Sequence, residues 1–221
     1  MLIISTITLA LQYQSYAQNT YEYDCKKDSY IHLGDDDPFN DKPKNFGSST
    51  ELKSYWVYNS KEYRYVVCMQ FLDNVSFFMK VKKATLQLSE KIDQYGSDLP
   101  STVSLYQITS EWDENTITGN NYPSLRYVGN YQIDASGLLD LTDFYNDLAI
   151  NGAIEHHGIA FRPSSDGADV ETLLFNSNEV FPMKVVIEAE IGIPTAILDE
   201  CQSNIQCNIC LLYTSPSPRD A

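Results

Sequence analysis

Between residues 62 and 72 the chain alternates with a period of two: Tyr65, Val67, Met69 and Phe71 share one face, and Val66, Cys68 and Gln70 share the other. That is the repeat of a pleated strand and not of a helix, so a half-buried sandwich strand is expected here. Ala84, Leu86 and Leu88 repeat the pattern opposite Thr85, Gln87 and Ser89. Near the end, Met183, Val185, Ile187, Ala189 and Ile191 alternate with Lys184, Glu188 and Glu190, interrupted by Val186. Further strands are read at 28–33, 51–58, 103–108, 158–162 and 171–175, with one or two more between 129 and 140. The 16 Tyr and 9 Phe fit a strand-rich protein that presents amphipathic rings. A single helix is expected at 142–150, where Thr142 supplies a cap, Asp143 suits the first turn and Asn151-Gly152 supplies the stop. Eight to ten strands with one short helix make an all-β, jelly-roll-like antiparallel β-sandwich. Phe144, Leu148 and Tyr145 are the helix residues expected to face it.

The stretch from Leu105 to Pro123 reads as a strand, a corner and a short return. Strand character breaks at Ser110, Trp112 sits among Glu111, Asp113 and Glu114, and Thr116-Ile117-Thr118 resumes β character before Gly119, Asn120, Asn121 and Pro123 turn the chain again. The series Trp112, Glu114, Thr116, Ile117, Thr118, Asn120, Asn121, Pro123 resembles the corner of DNRLRE-type domains, grouped with carbohydrate-binding module family ninety-six. Other pieces follow in the order that family shows: Asp28-Ser-Tyr30, Asn45-Phe46-Gly47, the strand ending in Phe71, Ala84-x-Leu86-x-Leu88, Leu139-Asp140-Leu141-Thr142, Gly158-Ile159-Ala160-Phe161, Phe175 to Glu179, and Pro182 entering a last strand. The resemblance spans residues 28–189. The hexapeptide that names the family is not spelled here, and the acidic insert at 35–44 departs from the shorter loop expected. The resemblance implies that Glu114 braces the turn holding Trp112. Asp140, just before Thr142, reads as structural, tying a strand end to the helix start.

Residues 2–11 are an apolar run too short to cross a bilayer, and Ser15 and Ala17 are the small residues a signal peptidase requires. Residues 1–17 are therefore expected to be a secretory signal, though no basic residue precedes the apolar run. The sandwich is expected over 25–192. Residues 193–210 begin a cysteine-rich segment with Cys201, Cys207 and Cys210. Residues 211–221 resemble a translated adapter, so further domains are expected C-terminal to Cys210. Five cysteines behind a secretory signal point to disulfides, with Cys25 and Cys68 one candidate pair. Asn74-Val75-Ser76 is a glycosylation sequon.

Fifteen basic against thirty acidic residues give a formal charge of −15, which repels phosphate backbones and argues against nucleic-acid binding and highly anionic polysaccharides. Adjacent His156 and His157 would point to opposite faces of an extended segment. No Gly-x-Ser-x-Gly elbow and no His-Glu-x-x-His is present, so neither a hydrolase triad nor a zinc protease has support. Glu111, Asp113 and Glu114 crowd one corner, whereas a glycosidase needs carboxylates opposed across a cleft.

Asp35, Asp36 and Asp37 form either a solvated acidic loop or a calcium site, because clustered carboxylates are what a hard cation selects. Sugar recognition stacks aromatic faces on pyranose rings and adds polar groups for the hydroxyls. Trp56, Tyr58 and Tyr127 are candidate stacking residues, as are Tyr55, Tyr63, Tyr122 and Tyr131. Arg64, Lys82, Arg126 and Arg162 would reach acidic sugars if they converged on one face. The resemblance implies a secreted, non-catalytic carbohydrate-binding or adhesive module of a larger extracellular protein, with an extracellular polysaccharide or cell-surface glycan as partner. The alternative is a spacer or protein-contact domain with no glycan ligand.

Overall fold

The computed structural model describes residues 18–34, 39–59, 61–72, 78–89, 99–151, 156–164 and 170–191. Its strands are β1 (Gln18–Asp24), β2 (Lys27–His32), β3 (Glu51–Asn59), β4 (Lys61–Gln70), β5 (Phe78–Gln87), β6 (Ser101–Ile108), β7 (Leu125–Ile133) and β8 (Leu138–Asp140). The helix α1 (Thr142–Asn151) follows, then β9 (Ile159–Pro163), β10 (Val170–Asn176) and β11 (Lys184–Ile191). They join in the order β1-β11-β5-β8-β7-β6-β9-β4-β3-β10, with β2 added on β4, and the paired neighbours are antiparallel. This path curls into an all-β sandwich around one core. β1 extends the sandwich N-terminally beyond the expected start at residue 25. It pairs along its whole length with β11, and its Tyr21 and Tyr23 pack on the core.

The inner core follows the two-residue period. Tyr65, Val67 and Met69 of β4 meet Leu86 of β5, Val103 and Leu105 of β6, Ile159 and Phe161 of β9, Leu173 and Phe175 of β10, and Val185, Ile187 and Ala189 of β11. Phe144, Tyr145 and Leu148 close it from α1. That helix is sewn to β5 by hydrogen bonds. The Ala84 amide donates to Thr142 Oγ1 (2.9 Å), the Leu141 amide to the Ala84 carbonyl (2.8 Å) and the Val81 amide to Asn146 Oδ1 (3.2 Å).

β4 departs from the half-buried expectation, because its second face is also covered. Val66 and Cys68 join Ile31, Ile108, Ala160, Trp112 and Ile117 in a separate cluster. Trp112 therefore does not sit between the two layers of the sandwich; it lies over the outer face of one of them. Cys68 belongs to this outer cluster and Cys25 to the inner one, and both are free thiols, so the candidate Cys25–Cys68 pair is not formed.

The short return strand expected at Thr116–Thr118 is a hydrogen-bonded turn instead, with the amides of Thr116 and Ile117 both donating to the Asp113 carbonyl. Three residues at a tight bend find satisfaction for their backbone in local turn bonds and need no partner strand. Asn121 locks the other end: its Oδ1 accepts from the Thr118 amide and hydroxyl, both at 2.7 Å, and its Nδ2 donates to the Thr116 carbonyl. Asn45 then ties the corner to the preceding loop, its Nδ2 donating to the carbonyls of Glu114 (2.7 Å) and Ile117 (2.8 Å). Gly47 allows this approach, since a Cβ there would lie 2.0 Å from the Glu114 carbonyl oxygen.

Removing the indole should leave a cavity in the outer cluster, so Trp112→Ala is expected to lower unfolding stability by about 3–5 kcal/mol in urea titration. Trp112→Phe, which loses mainly the indole N–H bond, should lose only about 1 kcal/mol. Gly47→Ala should destabilise by about 1–3 kcal/mol by overpacking against Glu114, and a midpoint equal to wild type would contradict the close approach.

Candidate functional site

Two bulges shape the surface beside α1. In β5, Glu188 faces Lys83 while Ala189 faces Val81, so Lys82 is an extra residue in the ladder. Adjacent strand residues ordinarily alternate in direction, but the bulge lets Val81 and Ala84 both be buried while Lys82 and Lys83 are both exposed. In β7, Leu105 faces Gly129 while Tyr106 faces Tyr127, so Val128 is extra there. Beyond the short β8, α1 rather than β7 satisfies the β5 edge, and β7 meets β8 at one pair, Ile133–Leu139. A cleft of about 770 Å³ opens in between, lined by Lys82 and Lys83 on one side, Asn130, Tyr131 and Gln132 on the other, with Asp140, Thr142 and Asp143 at the helix start.

Asp140 Oδ1 accepts from the Thr142 amide (2.9 Å) and hydroxyl (2.5 Å), fixing the helix start at the mouth of this cleft. Lys82 Nζ pairs with Glu190 Oε1 at 2.9 Å. Burial first, together with the charges of Asp143, Asp147 and Asp140, raises the Tyr131 hydroxyl pKa to about 12, so the phenol stays a neutral donor.

On the outer face of β6, β7 and β9 lies a second feature. Tyr127 is 56% exposed, and its ring meets Tyr106 edge-on at 5.6 Å between centroids. The Tyr127 hydroxyl donates to Asn130 Oδ1 (3.1 Å), which also accepts from Ser104 Oγ (3.1 Å). Arg162 Nε donates to the Tyr106 hydroxyl at 3.2 Å, and its Nη1 to the Pro163 carbonyl at 2.9 Å. The bulge at Val128 is what lets Tyr127 and Asn130, three residues apart, both face Ser104 and Tyr106. Asn130 thus belongs to both features, lining the cleft and holding Tyr127.

A third grouping lies under the corner. Ligand atoms of Asp28, Glu114 and Glu179 lie within 4.8 Å of one another, the arrangement among the described residues that could hold a metal ion. Glu114 Oε1 accepts from the Asp28 amide (2.8 Å), and Asp28 Oδ2 accepts from the Asn178 amide (2.8 Å). Lys27 Nζ donates to the Trp112 carbonyl at 2.8 Å and lies 5.5 Å from the indole centroid, while the indole N–H donates to the His157 carbonyl at 2.9 Å. Burial first, and then the charges of Glu179 and Glu114, push the Asp28 carboxyl up to about 7 against the lowering by the Asn178 amide.

The sequence-derived candidates divide among these places. Lys82 lines the cleft, whereas Tyr127 and Arg162 lie around Tyr106 on the outer face, with Arg126 bonded to Gln107. Trp56 pairs with Arg64 and Tyr58 with Glu62 in the β3–β4 register; their side chains lie outside the described ones. Asp35, Asp36 and Asp37 lie outside the described residues, as do the candidate signal, the sequon and Cys201, Cys207 and Cys210. Sequence reasoning missed Tyr106, Asn130, Lys83 and Gln132. The doublet Lys82-Lys83 between Val81 and Ala84 was the available signal, because two consecutive lysines flanked by apolar residues break strict alternation. Asp28 was missed as a buried carboxyl, since nothing local marks a group that tertiary packing buries.

The family model described as carbohydrate-binding module family 96 matches residues 19–187. No curated protein matches the chain.

With its folded value raised above the ordinary carboxylate value near 4, Asp28 binds a proton more tightly folded than unfolded. Its contribution to stability is therefore present in full below about pH 4 and is lost as pH rises toward 7. Asp28→Asn should flatten that loss, so the variant is expected to gain stability relative to wild type between pH 5 and pH 8. Parallel urea midpoints for the two proteins across that range would show Asp28 to be charged in the fold.

Proposed function

The chain belongs to carbohydrate-binding module family 96, and from that membership we propose that it is a secreted, non-catalytic module that holds an extracellular polysaccharide or cell-surface glycan on the outer face of β6, β7 and β9. The observation that carries this is the exposed Tyr127 ring, fixed edge-on by Tyr106 and by its own hydroxyl bond to Asn130. A ring immobilised before binding loses little entropy when a pyranose stacks on it. Arg162, held against Tyr106, and the Asn130 amide are the polar groups beside it that would meet sugar hydroxyls. Trp56, Tyr58 and Arg64 complete the candidate contacts on β3 and β4.

The reading is non-catalytic because the described carboxylates suit other work. Buried Asp28 and half-buried Glu114 anchor the corner through the Asp28 and Asn178 amides, and Asp140 caps the helix start. A hydrolase would need an acid and a base facing each other over a bound glycosidic bond. The wider context, a larger extracellular protein with further domains beyond Cys210, rests on the apolar run at 2–11 and on the cysteine-rich segment.

Retention on immobilised polysaccharides, measured with Tyr127→Ala and Arg162→Ala, tests the proposal. Each variant should bind about ten-fold more weakly, the loss that removal of roughly 1.4 kcal/mol of contact produces, with an unchanged unfolding midpoint. A folded protein retained by no polysaccharide would instead fit a spacer or protein-contact domain.

A further inference from the structure

We infer that the tyrosine face selects a free hydroxyl group on the bound glycan, because Ser104 and Asn130 fix the Tyr127 phenol oxygen as a hydrogen-bond acceptor. The inference rests on the glycan-binding reading above; it adds the group that is read and the residue, Ser104, that sets the reading.

Tyr127 reaches its place through a shift of register. Asn130 is opposite Ser104 and Gly129 opposite Leu105, so in an unbroken ladder Val128 would come opposite Tyr106. The bulge puts Tyr127 there instead, on the face that Asn130 shares. Its hydroxyl thereby comes within 3.1 Å of Asn130 Oδ1, the same atom that Ser104 Oγ meets at 3.1 Å. Two hydroxyls converge on one amide oxygen.

Which end of that amide faces them decides what the surface can recognise, and Ser104 settles it. Ser104 alternates with the core residues Val103 and Leu105, so it belongs to the outer face, yet it is only 6% exposed. Its proton must find an acceptor within the protein, because an unmade bond on a buried hydroxyl is costly. Asn130 Oδ1 is the acceptor it bonds. A flipped amide would offer an N–H, which cannot accept, and the Ser104 proton would be stranded. The covered serine therefore keeps the carbonyl end of Asn130 turned toward both hydroxyls.

The consequence falls on Tyr127. A phenol carries one proton and two lone pairs; here the proton is committed to Asn130 Oδ1, while the residue stays exposed to a ligand. A sugar hydroxyl that donates to the phenol oxygen leaves the Asn130 bond intact and strengthens it, since hydrogen bonds in a chain polarise one another. A group that can only accept, such as an acetyl ester, would have to take the proton away from Asn130. The discrimination concerns the hydroxyl and its esterification, and is the same for neutral and acidic sugars.

The test uses the full chain with acetylated glucomannan, acetylated xylan and acetylated polygalacturonate, each titrated beside its deacetylated form. Wild-type protein is expected to bind the deacetylated form of its polysaccharide more tightly. Tyr127→Phe keeps the ring and loses the phenol oxygen. It should weaken binding of the deacetylated form roughly five-fold, as loss of one hydrogen bond produces, and leave binding of the acetylated form unchanged. Ser104→Ala should shrink the preference with Tyr127 still in place, and Ser104→Thr, which restores a hydroxyl, should return it; urea midpoints show that each variant is folded. Equal wild-type affinity for the two forms, or a wild-type preference kept by Tyr127→Phe while Tyr127→Ala loses binding, would leave the stacking face standing and overturn the hydroxyl reading. An unchanged preference in Ser104→Ala would overturn the role of Ser104. Wild-type protein retained by none of the panel would overturn the glycan reading itself.

Discussion

Val66 and Cys68 belong to the face of β4 that points away from the sandwich core, yet each is at most 2% exposed because the Trp112 corner lies over them. The outer face of an antiparallel sandwich is commonly left to water, and apolar residues there would be exposed without a cover. The chain supplies one from the β6–β7 connection, using the indole and Ile117. The corner cannot drift, because Asn45 holds two of its carbonyls, Lys27 a third, and the indole N–H is bonded to His157. Segments far apart in sequence are thereby fixed relative to one another: the 39–47 loop, the start of β2, the corner and the lead into β9.

That fixation positions the candidate binding surface. β6 and β9 leave the corner cluster through Ile108 and Ala160 and continue into Tyr106 and Arg162. One sheet face is therefore apolar and covered at one end, then polar, aromatic and open at the other. A rigid strand scaffold carrying exposed aromatic rings meets the requirement that a binding constellation be held before its ligand arrives.

The cluster of Asp28, Glu114 and Glu179 works against this order as much as for it. The bonds to the Asp28 and Asn178 amides draw β2, the corner and the 177–181 turn together. The same closeness makes three charges unfavourable, so the arrangement favours a protonated Asp28. Cohesion at this junction thus depends on proton occupancy, whereas the hydrophobic core is indifferent to it.

Local patterns were enough to read most strands from β2 to β11, the helix at Thr142 and the all-β class, because strand and helix periods are properties of neighbouring residues, although β7 begins at Leu125, ahead of the 129–140 stretch where one or two short strands were expected. They did not reveal β1, whose polar QNTYEYD sequence becomes a strand by pairing with β11. Nor did they reveal that β4 is buried twice, that the 116–118 return is a turn, or that Lys82 lines the cleft while Arg162 lies beside Tyr106 on the outer face. Tyr127 and Arg162 were legible as residue types suited to sugars, but their meeting through Tyr106 was not. The sequence by itself determined which residues could be pleated and which face of each strand was apolar. Only the tertiary structure decided which faces were covered, where two bulges reversed the alternation, and which side chains share a surface, because each depends on contacts between segments dozens of residues apart.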